Sequence, residues 1–161
     1  MPKTPIVKMM TSQITKECLK RTNFEPEDFF ASPTAKRLNI NNQTNNVNIL
    51  TNLMAVADKI QEIRDLLGHP IRINSAYRCP ALNKAVGSKP TSQHPKGEAI
   101  DFVCPAFGTP AQVVEKIKQS KVVVDQCIEE STWTHLSIKL TGNRNRNQFA
   151  KLLNGKFTVI A

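Results

Sequence analysis

The chain has three histidines, and two of them stand among polar residues beside a segment of strand character. One lies in Ser92-Gln93-His94-Pro95-Lys96-Gly97-Glu98-Ala99-Ile100-Asp101, the other in Trp133-Thr134-His135-Leu136-Ser137. A catalytic zinc site takes three protein ligands from imidazole and carboxylate and keeps a fourth position for water. His94, Asp101 and His135 supply that set. Gly97, between the first two, allows a tight approach of loop to strand. Asp101 sits in the apolar string Ala99-Ile100-Asp101-Phe102-Val103. A carboxylate there must be paired, hydrogen-bonded or metal-bound, because an isolated buried charge is costly. Each residue also has a plain structural reading: Asp101 as a hydrogen-bonded acid, His135 as a core histidine. His69 reads as a capping residue beside a helix C-terminus.

Such a set needs a rigid scaffold. Over residues 46–67 the apolar positions Val47, Leu50, Leu53, Met54, Ala57, Ile60, Ile63 and Leu67 recur at three- and four-residue steps, the mark of an amphipathic helix that Gly68 stops. Asn23 to Phe30 opens a shorter helix, with Pro26 and acids in its first turn. Residues 39–48, rich in Asn, read as loop. Strands are expected over 70–78, 98–104, 121–128 and 133–140. One or two helical turns are expected over 80–86, and a helix over 110–118 capped by Thr109 with Pro110 at its first position. Residues 149–153 and 156–160 flank Asn154-Gly155, a strong hairpin signal. Helices before and between antiparallel strands make an α+β domain, with an antiparallel sheet carrying the site and helices packed on it.

At 161 residues, with 40% apolar and 22% charged residues, the chain fits one ordinary globular domain and is far from disorder. The formal charge of +9 favours polyanionic partners such as nucleic acid, acidic membrane or cell wall. The run 141–161 carries Arg144, Arg146, Lys151 and Lys156 and no acid. Little aromatic interleaving accompanies it, so specific nucleic-acid binding is not expected. No segment approaches the roughly 18 apolar residues of a membrane span. Lys3, Lys8 and Ser12 interrupt any apolar core of signal-peptide length, so cytoplasmic synthesis is expected. Cys18, Cys79, Cys104 and Cys127 form no C-x-x-C and are expected as free thiols, with a contact between Cys79 and Cys104 left open.

The run Ile73-Asn74-Ser75-Ala76-Tyr77-Arg78-Cys79-Pro80-Ala81-Leu82-Asn83-Lys84-Ala85-Val86-Gly87, followed by the His94–Asp101 segment, resembles the zinc D-alanyl-D-alanine carboxypeptidase and murein endopeptidase family. Members carry S-G-Y-R-S-P-x-x-N-x-x-V-G-G-x-x-x-S-x-H-x-x-G-x-A-x-D and, further on, a W-x-H-x-S strand. Asp125-Gln126-Cys127-Ile128-Glu129-Glu130 is similar to their D-Q-L-I-x-E. The likeness covers about residues 23–140, leaving 1–22 as an N-terminal extension and 141–161 as a basic C-terminal hairpin within a single domain. It implies a hedgehog-type fold and one Zn2+ per chain on His94, Asp101 and His135. It further implies hydrolysis of peptide bonds in peptidoglycan, by a monomer released by a holin or carried on a virion. Arg78 matches the family's active-site arginine, and Glu130 its general base, with Glu129 an adjacent competitor. Ser92, Gln93 and Trp133 join Arg78 as candidate substrate contacts; for Trp133, core packing is an equal reading. Other branches place an acid three residues before the second histidine, where this chain has Thr132, which cannot act as a base. Ala76 and Cys79 replace the family's usual Gly and Ser. A non-catalytic wall-binding or virion protein that keeps fold and metal is the competing function.

Overall fold

The computed structural model describes residues 13–140 and 145–161; Arg144 of the basic run and residues 1–12 lie outside them. After a 3-10 turn at Pro26–Phe29 come α1 (Pro33–Arg37), α2 (Val47–Leu67), β1 (Arg72–Ser75), α3 (Pro80–Ala85), β2 (Ala99–Val103) and α4 (Pro110–Lys118). The strands β3 (Gln126–Glu129), β4 (Thr134–Ser137), β5 (Gln148–Leu153) and β6 (Lys156–Val159) complete the chain. The six strands form one sheet in the order β1-β2-β4-β3-β5-β6. The α+β class holds, with one departure from a wholly antiparallel sheet: β3 and β5 run parallel.

Local sequence explains the helices. Asn46 caps α2 by accepting the Ile49 N–H, and Gly68 ends it in the left-handed conformation with φ 69°. Thr109 and Gln112 make a reciprocal capping box on α4. The buried stripe of α2, including Leu53, Val56, Ile60 and Ile63, joins Val113, Val114 and Ile117 of α4 in the main core. Ile100, Leu136, Cys127 and Phe149 meet them from the sheet, and these four are cross-strand neighbours on one face. Ile14 and Leu19, in the N-terminal stretch, are buried in the same core. No cysteine is in a disulfide; the Cys104 thiol donates to the Pro70 carbonyl at 3.4 Å.

The third and fourth strands are shorter than the expected 121–128 and 133–140. Their ends exchange hydrogen bonds with loops instead: Asn147 N–H donates to the Val124 carbonyl, and Ile138 N–H to that of Glu98. Asp125 explains the parallel pair. Its side chain is fully buried and receives the Arg146 backbone N–H at 3.1 Å, Nε at 3.0 Å and Nη2 at 2.7 Å. Gln148 N–H donates to its carbonyl. The chain returning from β4 is thus tied to the start of β3, and β5 can only proceed alongside it. Two of the basic-run charges are satisfied internally, Arg146 by Asp125 and Lys151 by Glu129 at 3.4 Å.

Burial opposes charge on Asp125, but the Arg146 bonds prevail and hold its carboxyl below the usual range. A depressed folded pKa contributes stability above the unfolded value of about 4 and loses it as pH falls through the folded value. Asp125→Asn is therefore expected to cost about 3 kcal/mol at pH 7, and urea denaturation at pH 7 and pH 3 should show the gap from wild type narrowing in acid. A gap independent of pH would mean that the charge of Asp125 contributes nothing.

Candidate metal centre

Strand alternation puts Asp101 and His135 on the sheet face away from the helices. They are directly opposite one another in the β2–β4 ladder. Asp101 Oδ1 lies 2.8 Å from His135 Nδ1, and Oδ2 lies 3.3 Å from His94 Nε2. The two imidazoles meet edge to face, with centroids 5.2 Å apart. One donor atom from each of the three residues falls within 4.8 Å of the others. Sequence reasoning grouped these three residues, and the fold brings them together.

His94 comes from the 3-10 turn His94–Lys96 before β2. The turn closes at Gly97, whose φ is 72°. A Cβ on Gly97 would sit 2.7 Å from the Ile49 carbonyl oxygen and 3.1 Å from Leu53 Cγ. The close approach that this glycine permits is therefore to helix α2, where the sequence suggested a strand. Asn52 on α2 completes the attachment by donating to the Lys96 carbonyl at 2.9 Å. Ser92 Oγ accepts the His94 N–H at 3.3 Å, while Gln93 Nε2 reaches Glu98 at 3.4 Å and Asp125 at 3.3 Å.

The imidazole protons follow from the partners. His94 Nδ1 lies 2.6 Å from the Ala76 carbonyl, which can only accept, so Nδ1 carries the proton. Nε2 is left with its lone pair, buried and without a hydrogen-bond donor. That lone pair faces a carboxylate oxygen across 3.3 Å. Two acceptors so placed repel unless a cation stands between them. Burial, the largest influence, keeps His94 below its ordinary pKa and hence neutral, as a ligand must be. For Asp101 burial works against ionisation, yet the carboxyl is held below the usual range, with the 2.8 Å bond to His135 Nδ1 favouring its charged form. Two imidazole nitrogens and a carboxylate, from facing strands and the turn before β2, make a donor set that fits zinc.

Arg78 follows Ala76, and its backbone N–H approaches the His94 carbonyl at 3.5 Å. Its Nε is buried without a partner. Burial lowers the guanidinium pKa, with Asp101 and Glu130 opposing the shift. Asn42 holds the backbone on both sides of it: Nδ2 donates to the Phe30 and Tyr77 carbonyls at 2.8 and 2.9 Å, and Oδ1 accepts the Cys79 N–H at 2.8 Å. Sequence reasoning missed Asn42. Nothing local separates it from the other asparagines of 39–48.

Glu130 and Glu129 part company. Glu129 faces the side of Thr134 and pairs with Lys151. Glu130 is half-buried near Asp101, His135 and Arg78; burial first, then the Asp101 charge, raise its carboxyl pKa against the opposing influence of His135 and Arg78. The Trp133 indole N–H is near enough to steady the charge of Glu130 without closing a hydrogen bond of good geometry. His69 is exposed beyond Gly68, its ring against Phe107, and takes no part.

Residues 22–137 match the model of the family described as Peptidase M15. The chain belongs to that family. Its three ligand candidates, Arg78 and Glu130 all fall within the matched stretch, and the metal cluster is the one expected of a metallopeptidase. No curated protein sequence matches the chain. Among the described residues of this M15 peptidase, no helix is long and apolar enough to cross a membrane.

Two outcomes are expected. His94→Ala should weaken zinc binding by well over 100-fold, on the order of or beyond the loss from an outer-shell change, whereas His69→Ala should leave it intact; metal analysis after dialysis checks both. Gly97→Ala should cost at least about 1 kcal/mol more than Gly68→Ala. Both glycines have positive φ, but a Cβ at Gly68 meets nothing within 4 Å. Equal losses in urea melts would show that the contact with α2 is unimportant.

Proposed function

We propose that this M15 peptidase is zinc-dependent and hydrolyses peptide bonds in the stem peptides of bacterial peptidoglycan. His94, Asp101 and His135 hold one Zn2+ per chain. The observation that carries the reading is the buried His94 lone pair turned on the Asp101 carboxylate beside His135. Zinc held there supplies a Lewis acid that brings the pKa of a water to about 7 and polarises the scissile carbonyl.

Glu130 is the general base. Its raised pKa suits a group that takes a proton from water and returns it to the leaving amine. Arg78 offers a desolvated guanidinium for a substrate carboxylate or the developing oxyanion. Trp133 presents an unpartnered indole N–H beside Glu130 and lines the cleft. Ser92 and Gln93 form the polar rim on the His94 side, with Gln93 also steadying the loop through Asp125. The formal charge of +9 suits approach to a polyanionic wall by an enzyme released by a holin or carried on a virion.

The test is zinc content together with release of new amino termini from purified peptidoglycan. Wall binding with zinc present and no new termini would favour a non-catalytic role. Glu130→Gln should retain zinc while kcat falls by roughly 10² to 10⁴, and Glu129→Gln should change little. The reverse pattern would move the base to Glu129.

A further inference from the structure

Cross-strand neighbours in a sheet share a face, so the register can be followed outward from the metal ligands. Asp101 opposes His135, His135 opposes Ile128, Ile128 opposes Ala150, and Ala150 opposes Val159. Leu152, two residues after Ala150, opposes Phe157. Glu130, two residues after Ile128, keeps the same face, and its N–H to the Trp133 carbonyl at 3.0 Å extends the β3–β4 pairing by a step. A second row therefore runs Trp133, Glu130, Leu152, Phe157 across four strands.

That row opens progressively to solvent. Trp133, Glu130 and Leu152 are half-buried, Phe157 is 46% exposed, and Val159 beside it is 55% exposed. The opposite face of the hairpin carries Lys151, Lys156 and Thr158 together with Leu153, which is 36% exposed. Leu152, Phe157 and Val159 are on the side of the metal cluster. At about 4.8 Å per strand, Phe157 on β6 stands three strands and roughly 14 Å from His135 on β4. An extended peptide advances about 3.3 Å per residue, so one crossing the site meets Phe157 about four residues from the reacting bond. The hairpin lies beyond residues 22–137, the stretch matched to the family.

We propose that Leu152, Phe157 and Val159 form an apolar subsite on the metal side of the sheet for an aliphatic segment of the peptide substrate about four residues from the scissile bond. The proposal rests on the peptidase reading above. It makes the C-terminal hairpin a determinant of how long a peptide the enzyme prefers.

The test uses the full zinc-loaded chain with two probes, acetylated D-alanyl-D-alanine and a peptidoglycan stem pentapeptide. In the double variant Phe157→Ser/Val159→Ser, kcat/KM for the pentapeptide is expected to fall roughly tenfold. The short probe and the Tm should be unaffected, since both side chains are exposed. An unchanged kcat/KM for the pentapeptide, or an equal loss on both probes, overturns the subsite. Should the wild type hydrolyse neither probe, the peptidase reading fails separately. The subsite is then decided by an NMR titration with the pentapeptide. Amide shifts over 150–159 that disappear in the double variant uphold it; no shifts there overturn it.

Discussion

A single carboxylate is shared by two imidazoles, and much of the molecule serves that arrangement. Asp101 turns one oxygen to His94 and the other to His135 in a place where burial alone would discourage its charge. The contact with His135 exists only in one register of the β2–β4 ladder. A slip of one residue would send Asp101 to the helix side and bring Phe102 to the metal side. The same register sets Ile100 beside Leu136 beneath the helices. Hydrophobic packing on one face and ligand geometry on the other are consequently enforced together.

The third ligand depends on loops, and loops need anchors. The turn bearing His94 is seated on α2 through Gly97 and Asn52, while its Nδ1 is oriented by the Ala76 carbonyl. Asn42 then fixes the strand end that carries both Ala76 and Arg78. Helix α2 thus does more than fill the core. It also anchors the turn that carries His94.

Much of this was legible in the sequence where the cause is local. The period of α2, its Asn46 cap, the Thr109 box on α4 and the Asn154-Gly155 turn each act within a few residues. Asn154 and Gly155 adopt φ of 52° and 73°, as a two-residue hairpin requires. The grouping of His94, Asp101 and His135 was legible because few residue types could hold a metal and these stand in linked motifs. The parallel β3–β5 pair was not, since it follows from Asp125 meeting Arg146, 21 residues further along the chain. Asn42 was hidden for the same reason: its partners, Phe30, Tyr77 and Cys79, are distant in sequence. Which of Glu129 and Glu130 faces the cluster was likewise hidden, since only the ladder defines it.

The β5–β6 hairpin joins the rest of the sheet by one ladder, along β3, and by the Arg146–Asp125 clasp at its entry. The three ligand-bearing segments all precede it in the chain and close their contacts without it. Small cooperative units at a sheet edge open at lower free energy than the core does. Within the hairpin, Phe149 of β5 is held in the core, so the outer strand β6, which pairs only with β5, is the part least tied to the histidines and aspartate. Changes at this outer edge can accumulate without disturbing the three-residue cluster, which is held by strands and a turn that precede it in the chain.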